Sequence, residues 1–139
     1  MSETVPCCYP VLEPNETTTR NRAVLKLVNG VRSAHGVHRL MLDAQLSRTA
    51  LAKAKHMVEH RYFDHDSPDG QGLADSASGE CIGLNYPTIC RAVEGWRTSE
   101  GHHNAMVNPR YRYLGVGYAE KLIAIDGKPA KYFWVAHFS

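Results

Sequence analysis

The sequence predicts an α+β layer fold contained in one domain. Three observations carry that reading. Apolar residues recur at helical spacing through the first sixty residues. A small, polar, turn-rich stretch then interrupts the pattern, and the last quarter of the chain switches to a two-residue period. A chain of 139 residues suits a single domain and can bury a core without covalent staples.

Residues 1–16 have no period and contain Pro6, Pro10 and Pro14, so they read as an irregular arm; the domain proper spans 17–139. Thr17, Thr18 and Thr19 offer N-caps for a first helix. Val24, Leu27, Val28 and Val31 fall at i, i+3, i+4 and i+7 on one face, and Gly36 supplies a left-handed stop. Residues 37–42 are short and extended. Asp43 caps a second helix with Leu46, Ala50, Leu51, Ala54, Met57 and Val58 as its stripe, ending near His60. Ser67-Pro68-Asp69-Gly70 is a turn signal, and loop continues to Gly79.

Residues 81–84 read as a short strand. Pro87 and Thr88 open a third helix carrying Ile89, Val93 and Trp96 at i, i+4 and i+7. Ser99 caps a brief fourth helix that Asn108-Pro109 terminates. Residues 113–120 and 132–138 read as strands. In the second, Phe133, Val135 and His137 face one way while Tyr132, Trp134, Ala136 and Phe138 face the other. Asp126-Gly127-Lys128-Pro129 lies between them, so the two form a hairpin.

Composition excludes several functions. Sixteen basic against fourteen acidic residues leave a net charge of +2, too small a bias for a nucleic-acid or membrane surface. No apolar run reaches the roughly 18 residues of a membrane span. The first residues lack the basic and apolar regions of a signal peptide, so either the chain stays inside the cell or a leader has been removed. Cys7, Cys8, Cys81 and Cys90 permit two disulfides in three pairings, or free thiols. No CxxC occurs, which argues against a cysteine-based zinc site. Asn15-Glu16-Thr17 is a glycosylation sequon that matters only in a secreted eukaryotic chain.

Eight histidines are many for this length and point to chemistry. His56-Met57-Val58-Glu59-His60 matches the inverted zinc-protease motif H-x-x-E-H, with two imidazoles at i and i+4. The competing reading is a polar helix face, since Met57 and Val58 continue the apolar stripe. A second set is dispersed: His65 in Phe63-Asp64-His65-Asp66, Glu80 after Gly79, His102 after Gly101, and an acid near Trp96. Each sits in a loop or at an element end, where sites are built. Two imidazoles with carboxylates suit zinc with an open position for water. His35, His38, His103 and His137 read as surface or core residues.

Five motifs in order resemble the CAP superfamily: cysteine-rich secretory proteins, antigen 5 and pathogenesis-related class 1 proteins. Leu27-Val28-Asn29-Gly30-Val31-Arg32 resembles its first-helix L-V-N-x-x-R. Leu40-Met41-Leu42-Asp43-Ala44-Gln45-Leu46-Ser47 resembles L-x-W-D-x-x-L-S. Phe63-Asp64-His65-Asp66-Ser67-Pro68-Asp69-Gly70 is similar to the bacterial-type F-x-H-x-S-P-D-G. Trp96 to Met106 resembles W-x-x-S-x-G-H-x-x-x-[IM], and Leu114-Gly115-Val116-Gly117-Tyr118-Ala119 resembles I-G-V-G-x-A.

The resemblance implies an α-β-α sandwich with a small central antiparallel sheet. It implies a cleft of two histidines, matching His65 and His102, and two acids. The first acid matches Glu80, and the second matches Glu100, with Glu94 as its rival. Many members hold a divalent ion there, zinc above all. Cys81 stands where the family has asparagine in G-E-N, so the surroundings of Glu80 differ. The cysteine-rich C-terminal module of some members has no counterpart in this sequence. The matching positions demote His56 and His60, which fall on a variable, solvent-facing part of the second helix.

Two functions follow as expectations. One is a secreted binding module, monomeric or weakly dimeric, for a sterol, a fatty acid or a protein partner, with the metal cleft organising its loops. The other is a metal-assisted hydrolase with Glu80 as base or orienting group. Binding ranks first, because no serine or cysteine nucleophile stands beside a histidine and a two-histidine site is open.

Overall fold

A computed structural model describes residues 17–139. The N-terminal arm, Cys7, Cys8 and the sequon asparagine Asn15 lie outside the described residues. The chain runs α1 (Thr17–Ala34), β1 (Met41–Leu42), α2 (Ala44–His60), β2 (Gly79–Leu84), α3 (Ile89–Arg97), α4 (Glu100–Met106), β3 (Tyr113–Ile125) and β4 (Lys128–Phe138).

Local chemistry explains the helix ends. At the end of α1 the Val37 N–H donates to Arg32 O and the Gly36 N–H donates to Ser33 O, with Gly36 at φ 70°. That is the Schellman pattern, and it needs a residue tolerant of the left-handed region. Asp43 caps α2 by accepting from the Leu46 N–H at 2.9 Å, and Thr88 caps α3 by accepting from the Arg91 N–H at 3.2 Å. Ser99 occupies the cap position of α4, but its side chain makes no capping bond. Its hydroxyl is used elsewhere.

The sheet order is β1-β3-β4-β2. β2–β4 and β3–β4 are antiparallel, as expected. The sheet is nevertheless mixed, because the two residues of β1 pair parallel with Tyr113 and Leu114. The hairpin strands also run further than their composition suggests. β3 continues to Ile125 and β4 begins at Lys128, so the turn is only Asp126-Gly127, both at positive φ. A register shift between Glu120 and Ile123 hides the added length, since a bulge breaks the alternation that marks a strand.

The alternation in β4 builds a three-layer sandwich. Phe133 and Val135 join Ala50, Ala54, Met57 and Ile82 under α2. Trp134, Ala136 and Phe138 join Val24, Val28, Ile89, Trp96 and Met106 under α1, α3 and α4. The two indoles also tie elements by hydrogen bonds. Trp96 Nε1 donates to Ile82 O at 2.9 Å, and Trp134 Nε1 donates to Tyr86 O at 2.8 Å.

The polar residues of the α1 motif are structural. Asn29 exchanges two hydrogen bonds with the Leu40 backbone, at 3.1 and 2.8 Å, fastening the entry to β1. Arg32 is fully buried and donates to the carbonyls of His38, Met106, Asn108 and Tyr111 at 2.7–3.2 Å. Two of these lie at the C-terminal end of α4, where the helix dipole favours a cation.

α2 lies unusually near β3. A Cβ on Gly115 would stand 2.1 Å from the Leu46 carbonyl carbon, and one on Gly117 would stand 2.2 Å from that of Ala50. Backbone occupies both places, so neither can be relieved by a side-chain rotation. Gly115→Ala and Gly117→Ala should each destabilise the protein by about 3 kcal/mol in urea denaturation. Gly30→Ala is the control. It has open space in mid-helix and should be stabilising by about 0.5–1 kcal/mol.

Candidate functional site

The site forms where the sheet's β2 edge meets the loop after α2 and the start of α4. Glu80 lies on β2 directly opposite His137 on β4. Their strand parity sends both side chains to the α2 face. Glu80 Oε2 accepts from His137 Nε2 at 2.7 Å, and Glu80 Oε1 accepts from His65 Nδ1 at 2.7 Å. The Glu80 side chain is 5% exposed and that of His137 2%, whereas that of His65 is 54% exposed.

The loop carrying His65 is held by α2. Lys53 Nζ donates to His65 O at 2.8 Å and to Tyr62 Oη at 3.1 Å, and it lies 4.7 Å from the centre of the Tyr62 ring. Tyr62 Oη also pairs with His56 Nδ1 at 2.8 Å. Burial, together with the charges of Glu80, Asp69 and Asp64, pushes the Tyr62 phenol up to about 12. His56 therefore commits one nitrogen to supporting this loop, and its ring lies 4.1 Å from that of His60. Thr49, Lys53, His56, Tyr62, Glu80 and His137 line a cavity of about 230 Å³ on this side of the sheet.

His102 lies on α4 and is half-buried. Its Nδ1 pairs with Ser99 Oγ at 2.9 Å, which is where the missing cap went. Cys81 Sγ donates to His102 O at 3.6 Å. Burial and the neighbouring charge of His65 hold the His102 imidazole below its ordinary value. Glu100 is exposed in the first turn of α4 and makes no ion pair among the described residues. Its rival Glu94 is exposed and bonded to Arg97 at 2.9 and 2.5 Å. Neither acid meets Glu80.

Cys81 is a buried free thiol. Burial and the Glu80 charge push it up to about 12, so it supplies no thiolate nucleophile at neutral pH.

The donor set decides what a metal would find. His65 and His102 have their Nδ1 atoms engaged, by Glu80 and by Ser99, and Nε2 of each has no partner among the described residues. Each Glu80 oxygen accepts a hydrogen bond from one histidine. Among the described residues no group of three or more His, Cys, Asp or Glu side chains is arranged to hold an ion. These residues offer an ion two imidazole nitrogens, one on the loop after α2 and one at the start of α4.

Sequence reasoning missed His137 as a site residue. Its parity on β4 was legible. Its position opposite Glu80 was not, because that depends on the register between strands distant in sequence.

Burial raises the cost of ionising Glu80, but the hydrogen bonds from His137 and His65 outweigh it and hold the carboxyl below the usual range. A lowered carboxyl stabilises the fold above its unfolded value of about 4.3 and ceases to do so as pH falls through its folded value. In urea titrations, wild type should exceed Glu80→Gln in stability at pH 7. The gap should shrink as pH falls below about 4.

The comparisons agree with this architecture. Residues 25–138 match the model of the CAP, cysteine-rich secretory protein, family. The Bacillus subtilis protein YkwD is 33% identical over 116 residues, covering 77% of this chain and 45% of its own. An extracellular protein containing an SCP domain from Bacillus anthracis superposes with a TM-score of 0.72 at 26% identity, covering 92% of this chain and 44% of that one. An outer surface protein of Borrelia burgdorferi shares the fold, with a TM-score of 0.66 at 16% identity over 94% of this chain and 97% of its own. The chain thus spans less than half the length of YkwD and of the Bacillus anthracis protein. With the motif order, the sandwich and the family match in agreement, the chain belongs to the CAP family.

Proposed function

We propose that this CAP domain is a binding module acting outside the cytoplasm, and that its His65–His102 cleft takes up a divalent metal, zinc by preference. One observation carries the reading. Both histidines have Nδ1 fixed by a protein partner and Nε2 uncommitted, which is how metal-ligating histidines are usually prepared. A bound ion would supply Lewis acidity and a fixed positive charge at the cleft. His65 and His102 would hold it, with Glu80 and Ser99 orienting their rings.

Binding is favoured over hydrolysis by the commitments of the same residues. Two histidine hydrogen bonds hold the Glu80 carboxyl below the usual range, which makes it a weak base, and Cys81 is protonated. A polar protein side chain is favoured over a sterol or fatty acid, because the groups bonded to His65 are the Glu80 carboxylate and the Lys53 ammonium. Action outside the cytoplasm is supported by the extracellular description of the Bacillus anthracis relative. Among the described residues no helix is long and apolar enough to cross a membrane.

Zinc titration calorimetry at about pH 7.5, on protein purified without an affinity tag, checks this. His65→Ala and His102→Ala should each weaken binding by tenfold or more while leaving the fold intact. Imidazole binds metal only when neutral. The lowered value of His102 keeps it neutral below the ordinary histidine value of about 6.5. Affinity should therefore weaken as pH falls through roughly 6 to 5, the ordinary range of histidine protonation. Variants that bind as tightly as wild type would remove the cleft from consideration.

A further inference from the structure

We propose that His137 is a positioning residue: through Glu80 it determines which nitrogen of His65 carries the proton. Its bearing on metal rests on the reading above, but the tautomer of His65 does not.

Donor and acceptor counts place the protons first. An ionised carboxylate can only accept, so both imidazole nitrogens facing Glu80 carry hydrogen. His65 is thereby protonated at Nδ1 and keeps its Nε2 lone pair available. A carboxylate held at one oxygen turns easily about its last torsion, which has a broad minimum. His65 is on an exposed loop and cannot hold Glu80 still by itself. The second bond, from His137 Nε2 to Oε2, fixes the carboxylate plane.

His137 is itself locked. It is 1% exposed, and its Nδ1 pairs with Thr49 Oγ1 at 2.8 Å. With His137 neutral, the single Thr49 hydroxyl hydrogen goes to Nδ1, and Thr49 is placed by α2, one turn of which lies against Gly115. Order therefore passes outward from the packed α2–β3 contact, through Thr49, His137 and Glu80, to an exposed imidazole. Any buried imidazole needs a partner at each nitrogen; here one of those partners is the same carboxylate that holds His65.

The test reads the tautomer directly. Long-range ¹H–¹⁵N correlation spectra of the metal-free, ¹⁵N-labelled whole chain, recorded at about pH 8 where histidines are neutral, distinguish Nδ1–H from Nε2–H. The His65 signals are assigned by their loss in His65→Ala. Wild type should show Nδ1–H alone. His137→Leu should shift His65 toward a mixture containing Nε2–H, and His137→Gln, whose amide can donate to Glu80, should restore the wild-type pattern. If His137→Leu fails to fold, Thr49→Val reads the same chain from its other end and should produce a partial shift.

An unchanged His65 pattern in the folded His137→Leu, or in Thr49→Val if that variant decides, overturns the proposal. So does a wild-type spectrum without a dominant Nδ1–H form. Zinc titration of the same proteins separates the two ideas. His137→Leu should weaken zinc binding by about tenfold. A tautomer that shifts in His137→Leu, in a protein whose wild type binds no zinc, defeats the metal reading and supports the positioning role. Normal zinc binding with an unmoved tautomer in His137→Leu defeats the positioning role alone.

Discussion

The structure depends on one close approach: the backbone of α2 resting on Gly115 and Gly117 of β3. Two absent side chains let the helix descend by about the thickness of a methyl group, and everything on that face is placed by it. Ala50 and Ala54, both fully buried, are small for the same reason. At this separation Thr49 meets His137 on the next strand, and Lys53 meets Tyr62 and the backbone of His65. The motif Leu114-Gly115-Val116-Gly117 thus has a physical meaning. Its large residues fill the opposite core, and its glycines admit the helix.

The cleft shows how a small domain prepares exposed histidines. Neither imidazole is held by burial alone. His65 borrows its orientation from a carboxylate on an edge strand, and His102 borrows its own from the serine that begins its helix. In both cases the anchored atom is Nδ1. The cost is visible in α4, which gives up the side-chain cap that Ser99 could have provided. Such a cap is worth about 1 kcal/mol, so the diversion is a modest sacrifice of helix stability for geometry at the site.

The opposite side of the molecule uses polar groups for a different end. Arg32 is buried with no carboxylate partner among the described residues, yet four carbonyls surround its guanidinium. Burial lowers its affinity for its proton, but an arginine remains charged under these conditions. The carbonyls come from the loop before β1, from the end of α4 and from the segment before β3. One side chain therefore ties together three irregular segments, Asn108 O accepting from Tyr111 N and Tyr111 O pairing with His38 Nε2 as well. Charge and hydrogen bonding here build the frame, whereas at Glu80 they arrange the cleft.

Local physics made much of this legible in the residues themselves. Caps at Asp43 and Thr88, the glycine stop at Gly36 and the apolar faces of α1, α2 and α3 are short-range effects, complete within a few residues. The hairpin and the facing of β4 follow from a period of two, and five ordered motifs identified the family. The parallel pairing of β1, the bulge that hid the far end of the hairpin and the position of His137 opposite Glu80 depend on register between distant segments. No periodicity encodes that register. The sequence alone determined which residues belong to which face of which element, because side-chain direction follows from local backbone geometry. Only the tertiary structure decided that one carboxylate would stand between two histidines, because that requires the packed sheet and α2 to set their separation.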